Sequence, residues 1–535
     1  MDIFFTEEKL ACRIDALAPW RMRDAVKAHG LRMLKCPPED VNPSPPPMDD
    51  GWTEAALGQE WSGRDKYLWL SCDLEFPAQW SGRQLVGLFN FGVTGSCSTY
   101  GFEALLYVDG TPFQGVDTHH QEVYFPEHYA GRTVPVVFRL WSGLEGGGVP
   151  RTMTHVFRQA ETAWLDESVD QLYYTGRMIL ETLPLLSDND PVRTALRDAL
   201  NQALLAVDWR DGGSGAFYAS VKTAWDTLDR LLASMDKQSI VDLVCVGHTH
   251  IDVAWLWRYK HTREKSARSF STVLRLMEQY PEYTFLQSQP QLYEYIKNDF
   301  PEIYEGIRQR IREGRWEVDG GMWIEADCNI PSGESLTRQI LVGTRFTEKE
   351  FGTRMHYLWL PDVFGYSWAL PQILKKSGLD TFITTKISWN ECNQMPHDTF
   401  YWVGIDGTKI LTHFITTPAA SEEQGTWYYT YNGEMVPGAA AGIWNNYRNK
   451  DLTSKLLMAY GYGDGGGGVN REELEQRRII DRLPGLPHIR HGNGARYFKE
   501  LQDRVDSTTA YFPEWDGELY LENHRGTYTS HAYNK

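Results

Sequence analysis

Short apolar runs alternate with longer stretches of helical period through the second half of this chain. Runs at 241–246, 284–287, 315–318, 356–360, 381–385, 409–414 and 455–460 have the length and composition of buried strands. Between most of them, stretches such as 263–280, 291–313 and 334–351 repeat apolar residues every three or four positions and predict helices. Such alternation implies a parallel sheet flanked by helices, here a seven-stranded parallel α/β barrel-like domain over 239–535, with the loops that follow strands all on one face. The region 51–162 differs: brief runs at Tyr67–Leu70, Leu85–Phe89, Ala104–Val108 and Val134–Phe138, broken by Asp109-Gly110 and other glycine turns, predict an antiparallel β-sandwich. Over 163–238, Leu172, Met178, Leu183, Leu200, Leu204, Leu228 and Leu232 mark the buried faces of a helical connector. Residues 1–50 read as a short helix and then a linker, because Pro37-Pro38 and the prolines of 43–47 fix φ and lack amide donors.

The formal charge of −18 excludes non-specific nucleic-acid binding, which needs a basic face, and leaves a neutral polar substrate as the better fit. Twenty Trp and 28 Tyr supply flat faces that can stack on sugar rings, although most such residues belong to cores. Cys12, Cys36, Cys72, Cys97, Cys245, Cys328 and Cys392 are odd in number and contain no Cys-x-x-Cys pair, so free thiols in a reducing compartment are expected. No apolar segment has the length of a signal peptide or membrane span, and the expectation is a cytoplasmic protein with no membrane partner.

The run 241–246 leads directly into Gly247-His248-Thr249-His250-Ile251-Asp252. In extended chain, residues two apart point the same way, so His248, His250 and Asp252 can converge on one site. Imidazole nitrogen with carboxylate oxygen suits zinc or a similar divalent ion; polar decoration of an ordinary loop is the alternative. Further carboxylates follow the third and fourth runs, in Glu325-Ala326-Asp327 and in Leu360-Pro361-Asp362. A glycosidase needs such a pair, one to attack and one to protonate, while either Asp alone could simply cap a helix. His524 follows the run Leu519-Tyr520-Leu521, and Asp464 sits in a glycine-rich segment after the seventh run.

At these residues the chain resembles glycoside hydrolase family 38, the α-mannosidases, most closely the cytosolic and bacterial branch. The resemblance rests on 247–257, on Ile330-Pro331-Ser332-Gly333-Glu334, on Trp359–Ser367, on Gly461–Gly468 and on His524–Thr529, with the Trp-rich region 52–86 similar to the N-terminal β domain of that branch. It implies a retaining, exo-acting α-mannosidase that removes terminal mannose from glycans or oligosaccharides. It also implies one divalent ion, zinc or alternatively cobalt, held by His250, Asp252, Asp327 and His524. Asp327 would be the nucleophile as well and Asp362 the general acid/base, with Trp255 stacking under the sugar and His248 and Asp464 lining the pocket. Family members continue for several hundred residues beyond the point matching Lys535, so the family's C-terminal domains are expected to be absent here; a homo-oligomer is compatible with the sequence. Two rivals stand beside this reading. A metal amidohydrolase would need more His or Lys ligands than strand ends offering Gln287, Asp319, Asp362 and Lys386 provide. A non-catalytic carbohydrate-binding or truncated family member would be told apart by its inactivity on an aryl α-mannoside.

Overall fold

A computed structural model describes residues 4–37, 43–49, 51–92, 101–144, 152–419, 428–509 and 511–530; Pro38, Cys97 and Lys535 lie outside them. The N-terminal part is a sandwich of antiparallel sheets. One orders Met22–Lys27, Gln159–Leu165, Leu85–Asn90 and Glu122–Phe125; the other orders Thr53–Glu54, His29–Lys35, Tyr67–Phe76, Arg132–Trp141, Glu103–Val108 and Thr111–Asp117. Alternate residues such as Leu70, Leu74, Phe76, Phe89, Leu106 and Phe138 form its core. Two of these strands, Met22–Lys27 and His29–Lys35, fall in the stretch read from sequence as helix and linker. They escaped notice because only Ala28 and Leu31 of this stretch are buried, between charged residues. The prolines begin after Lys35 and end the second strand.

Three helices follow at Glu167–Thr182, Pro191–Leu205 and Gly215–Ala233, in the region expected to be helical. Asp166, Asp190 and Ser214 cap them by accepting the amides of Val169, Val192 and Phe217.

In the last region each expected run forms a strand: Asp242–His248, Phe285–Gln287, Trp316–Val318, Tyr357–Trp359, Thr381–Thr384, Lys409–Phe414 and Lys455–Tyr460. Their pairing gives two five-stranded sheets, joined by a parallel bridge between Gly320 and Leu358. Three more strands complete them: His488–His491, Thr399–Val403 and Glu514–Asp516. Thr399–Val403 runs antiparallel to Lys409–Phe414 and occupies the edge that a closed seven-stranded ring would offer to Lys455–Tyr460. The stretch expected as one helix over 291–313 is two, Pro290–Asp299 and Pro301–Arg312, because Phe300 is extended (φ −139°) ahead of Pro301.

The strand Asp242–His248 is buried on both faces, as a central parallel strand must be. Val244 and Val246 share a core with Leu286, Trp359, Ile383, Leu411 and Leu457, whereas Leu243 and Cys245 pack into the larger core that includes the surrounding helices. Parallel register sets Gly247 level with Phe285 and Tyr460, so the ends of neighbouring strands meet where the His-x-His segment begins.

Candidate metal and catalytic centre

His248 is the last residue of its strand and is fully buried. Its Nε2 accepts the indole N–H of Trp359 at 3.2 Å, which requires a neutral ring. Burial, and then the neighbouring His250, lower its pKa to about 3. His250, two residues on, is also buried but meets carboxylates on several sides. Its Nδ1 lies 2.8 Å from Glu325 Oε2, and its Nε2 lies 3.5 Å from Asp252 Oδ1 and 3.8 Å from Asp362 Oδ2. Burial alone would lower its pKa; Glu325 and Asp252 overcome that and raise it well above the ordinary range. The other Glu325 oxygen accepts the Ser288 hydroxyl at 2.7 Å.

Asp362 carries an ion pair on its far side, Lys386 Nζ at 2.6 Å, and that ammonium sits 3.9 Å from the centroid of the Trp389 ring. Burial pushes the Asp362 pKa upward, but Lys386 and His250 outweigh it and hold the group below its usual range. Asp464 stands in the glycine segment with φ 51°, a left-handed conformation that Asp tolerates better than most residues. It accepts the Tyr431 hydroxyl at 2.7 Å and the Asn432 amide at 3.3 Å. Burial and the adjacent Asp362 push its pKa up to about 6.

Donor atoms of His250, Asp362 and Asp464 all lie within 4.8 Å of one another. Neither His250 nitrogen makes a geometrically formed hydrogen bond, nor does Glu325 Oε2, although all are buried. Buried polar atoms without partners are uncommon and call for an explanation. An imidazole and several carboxylates closing on one small volume is a nitrogen and oxygen donor set that fits a divalent cation.

The other sequence-predicted residues surround this group at different depths. The Asp252 carbonyl accepts the Trp257 indole at 3.1 Å and the Thr262 hydroxyl at 3.3 Å, which anchors its loop on the helix Tyr259–Gln279. Asp327 lies outside the His250 cluster, its carboxylate accepting the amides of Asn329 at 2.9 Å and Ile330 at 3.3 Å. His524 is exposed and left-handed (φ 63°), with its ring 5.5 Å from Phe364 and 6.1 Å from Trp389, also outside the cluster. Trp255 is 52% exposed and meets Trp257 edge-on, so its face is open to a ligand. Tyr431 and Asn432 were missed by sequence reasoning, since no strand-like run precedes them. Lys386 was legible only as a polar residue at a strand end.

The sequence profile of the glycosyl hydrolases family 38 N-terminal domain matches residues 241–518, and that of the alpha-mannosidase jelly roll domain matches residues 29–136. The chain is 44% identical over 290 residues to Alpha-mannosidase G of Dictyostelium discoideum, covering 54% of this chain and 25% of that protein. It is 33% identical over 479 residues to Alpha-mannosidase 2C1 of Homo sapiens, covering 87% of this chain and 43% of the relative. Against an Alpha-mannosidase of Saccharomyces cerevisiae the identity is 31% over 512 residues, with 90% and 45% covered. The chain thus spans less than half the length of these curated relatives. Since the first profile takes in over half of its residues, including every side chain of the cluster around His250, this chain belongs to glycosyl hydrolase family 38.

Proposed function

We propose that this chain carries the catalytic centre of a metal-dependent, retaining α-mannosidase acting on terminal α-linked mannose of glycans or oligosaccharides. The observation that carries the reading is the burial of His250 among Glu325, Asp252 and Asp362 at the ends of parallel strands, inside the family match. His250, Asp252, Asp327 and His524 are the proposed ligands of one ion, zinc or cobalt. The 3.5 Å approach of His250 to Asp252 supports the first two. The loops of the other two are tied together and to the Asp362 segment, because Asn329 Nδ2 donates to Tyr528 Oη, which donates to the Phe364 carbonyl at 2.9 Å. Such an ion supplies Lewis acidity toward adjacent sugar hydroxyls.

The chain's own residues do the rest. Asp327 attacks the anomeric carbon, and water later displaces it, so two inversions give retention. Asp362 is the general acid/base: it passes a proton to the leaving oxygen and later takes one from water, and Asp464 is close enough to share that proton with it. Lys386 orients Asp362 and favours its carboxylate form in the step that activates water. Neutral His248 lines the floor, and the open face of Trp255 stacks on the sugar.

The core shared by six of the seven parallel strands, all but Trp316–Val318, supports reading them as a barrel-like layer. The domains proposed are a sandwich from near Met22 to Leu165, slightly longer than the 51–162 expected from sequence, a helical connector to 238 and a catalytic domain from 239. The cysteine pattern supports a reducing, cytoplasmic location.

Asp362→Asn is expected to lower kcat on an alkyl α-mannoside by about 10² to 10⁴ while sparing glycosylation from a dinitrophenyl mannoside, which needs no proton. Chelation should abolish activity, and proton NMR should show α-mannose as the first product. First release of the β anomer, or full activity after chelation, would overturn the reading.

A further inference from the structure

The glycine segment that presents Asp464 is held from two sides. On the catalytic side the Gly465 amide donates to the His250 carbonyl at 3.1 Å, and the Thr249 hydroxyl donates to the Tyr462 carbonyl at 3.2 Å. Tyr462 and Gly468 exchange backbone hydrogen bonds of 3.0 and 2.8 Å, closing a tight loop with Asp464 near its tip. The loop contains Asp464 at φ 51° and Gly465, Gly467 and Gly468 at φ 80–95°. Glycine adopts such φ values freely, so only Asp464 carries backbone strain, and the shape of this pliable loop depends on the contacts around it.

The other side is supplied by the β-sandwich, more than 300 residues earlier in the chain. Its strand Thr111–Asp117 ends in a turn in which Asp117 Oδ1 accepts the amides of His119 and His120 at 2.8 and 3.0 Å. The His119 ring lies flat on Tyr462, centroids 3.8 Å apart, and its carbonyl accepts the Asn470 side-chain amide at 3.2 Å. His120 is buried, with Nδ1 2.9 Å from Asp117 Oδ1 and Nε2 3.1 Å from the Val469 carbonyl. A carboxylate and a carbonyl only accept, so both ring nitrogens must donate and the ring is an imidazolium. The fit leaves no room: a Cβ at Gly467 would stand 2.6 Å from His120 Cε1 and 2.8 Å from Asp117 Oδ2. Any side chain at Gly467 would collide with the sandwich turn.

We propose that the sandwich turn Asp117–His120 is a positioning element of the catalytic centre, with His120 fixing the glycine loop and through it the carboxylate of Asp464. The sandwich then completes the site instead of acting as an appended sugar-binding module. The catalytic consequence rests on the mannosidase reading; the structural one does not.

Hydrogen exchange separates the two on the full chain. In His120→Ala, the amides of Gly465 and Gly468 should exchange about tenfold faster or more, while those of the sandwich strands keep their protection and show that the protein is folded. Gly467→Ala, which forces the same contact apart from the opposite side, should give the same pattern. Activity on a nitrophenyl α-mannoside should then show kcat reduced about tenfold or more with KM within about twofold, and His120→Ala should add little to the loss already caused by Asp464→Asn. Unchanged exchange at Gly465 and Gly468 in both folded variants would overturn the proposal, as would fully multiplicative losses in the double variant. If the wild-type chain shows no mannosidase activity, the mannosidase reading fails and the exchange result still decides whether the turn holds the loop.

Discussion

Two groups of buried and half-buried carboxylates stand in or just after the parallel strands of this protein, and they are built on different principles. Around Asp319 and Glu317 the carboxylates meet donors from several directions. Asp319 accepts the amides of Gly320 at 2.8 Å and His356 at 2.9 Å together with the His356 ring at 2.9 Å, while Glu317 accepts the amides of Gly494 and Ala495 at 2.7 and 2.8 Å and the Tyr357 hydroxyl at 3.0 Å. Around His250 the carboxylates face one another, and both imidazole nitrogens lack a formed hydrogen bond. The first group ties the two sheets beside the Gly320–Leu358 bridge. In the second, Ser288, Lys386, Tyr431 and Asn432 serve part of the carboxylate oxygens while both His250 nitrogens and Glu325 Oε2 go without a formed hydrogen bond, which fits the cation site proposed above. Carboxyl residues at strand ends therefore do not distinguish catalysis from construction. Whether their donors are already matched does.

The contrast can be broken most directly through pH. Glu317 is pushed from its ordinary 4.5 up to about 7, by burial first and then by Asp319, against the pull of the two amides at the start of the helix Gly494–Ser507. The folded protein thus binds this proton more tightly than the unfolded chain does. Stability from the group is complete below pH 4.5 and is lost as pH rises through about 7, a change of about 3 kcal/mol across the window. Urea unfolding from pH 4.5 to 8 should show Glu317→Gln with a flatter profile than the wild type. Parallel profiles would show that the carboxyl is better solvated than its burial implies.

Asp319→Asn sharpens the contrast at a smaller scale. An amide NH₂ would face the His356 donors that the carboxylate now accepts, and a buried mismatch of this kind costs about 1 to 3 kcal/mol. Denaturant midpoints should fall accordingly, whereas kcat per folded molecule should stay within about twofold because Asp319 lies outside the His250 cluster. A large loss of kcat at unchanged stability would move Asp319 into the catalytic machinery.

Much of this was legible in the sequence where local pattern and global role agree. The strands of the catalytic region could be read because most are compact apolar runs buried on both faces; Trp316–Val318, with half-buried Glu317 at its centre, is the exception. The strands Met22–Lys27 and His29–Lys35 could not, since they lie in the sandwich with charged residues outward and little apolar signal. The second sheet continues past Lys409–Phe414 through the antiparallel strand Thr399–Val403, whose direction no periodicity reveals. Within the site, His250, Asp252, Asp362 and Asp464 stood out by following strand-like runs. Tyr431 and Asn432 reach Asp464 from a segment with no such run, and His120 reaches the glycine loop from another domain. Contacts of that range are set by the folded topology, and no local spacing encodes them.

The smallest effect is also the one that most clearly separates function from stability. Asp464 is held with its carboxyl pushed up to about 6, by burial and by Asp362, so at neutral pH its charge opposes folding in the metal-free protein. Asn removes that charge at nearly constant shape. Its carbonyl oxygen can keep the 2.7 Å hydrogen bond from Tyr431, but its NH₂ would face the Asn432 amide at 3.3 Å, which returns part of the gain. The net expectation is a metal-free protein more stable by about 1 kcal/mol, while activity is severely reduced, the trade-off expected where a site is kept strained for its chemistry. Urea unfolding at pH 7.5 in excess chelator measures it. Destabilisation of Asp464→Asn by a similar amount would mean that Asp464 is matched in the manner of Asp319.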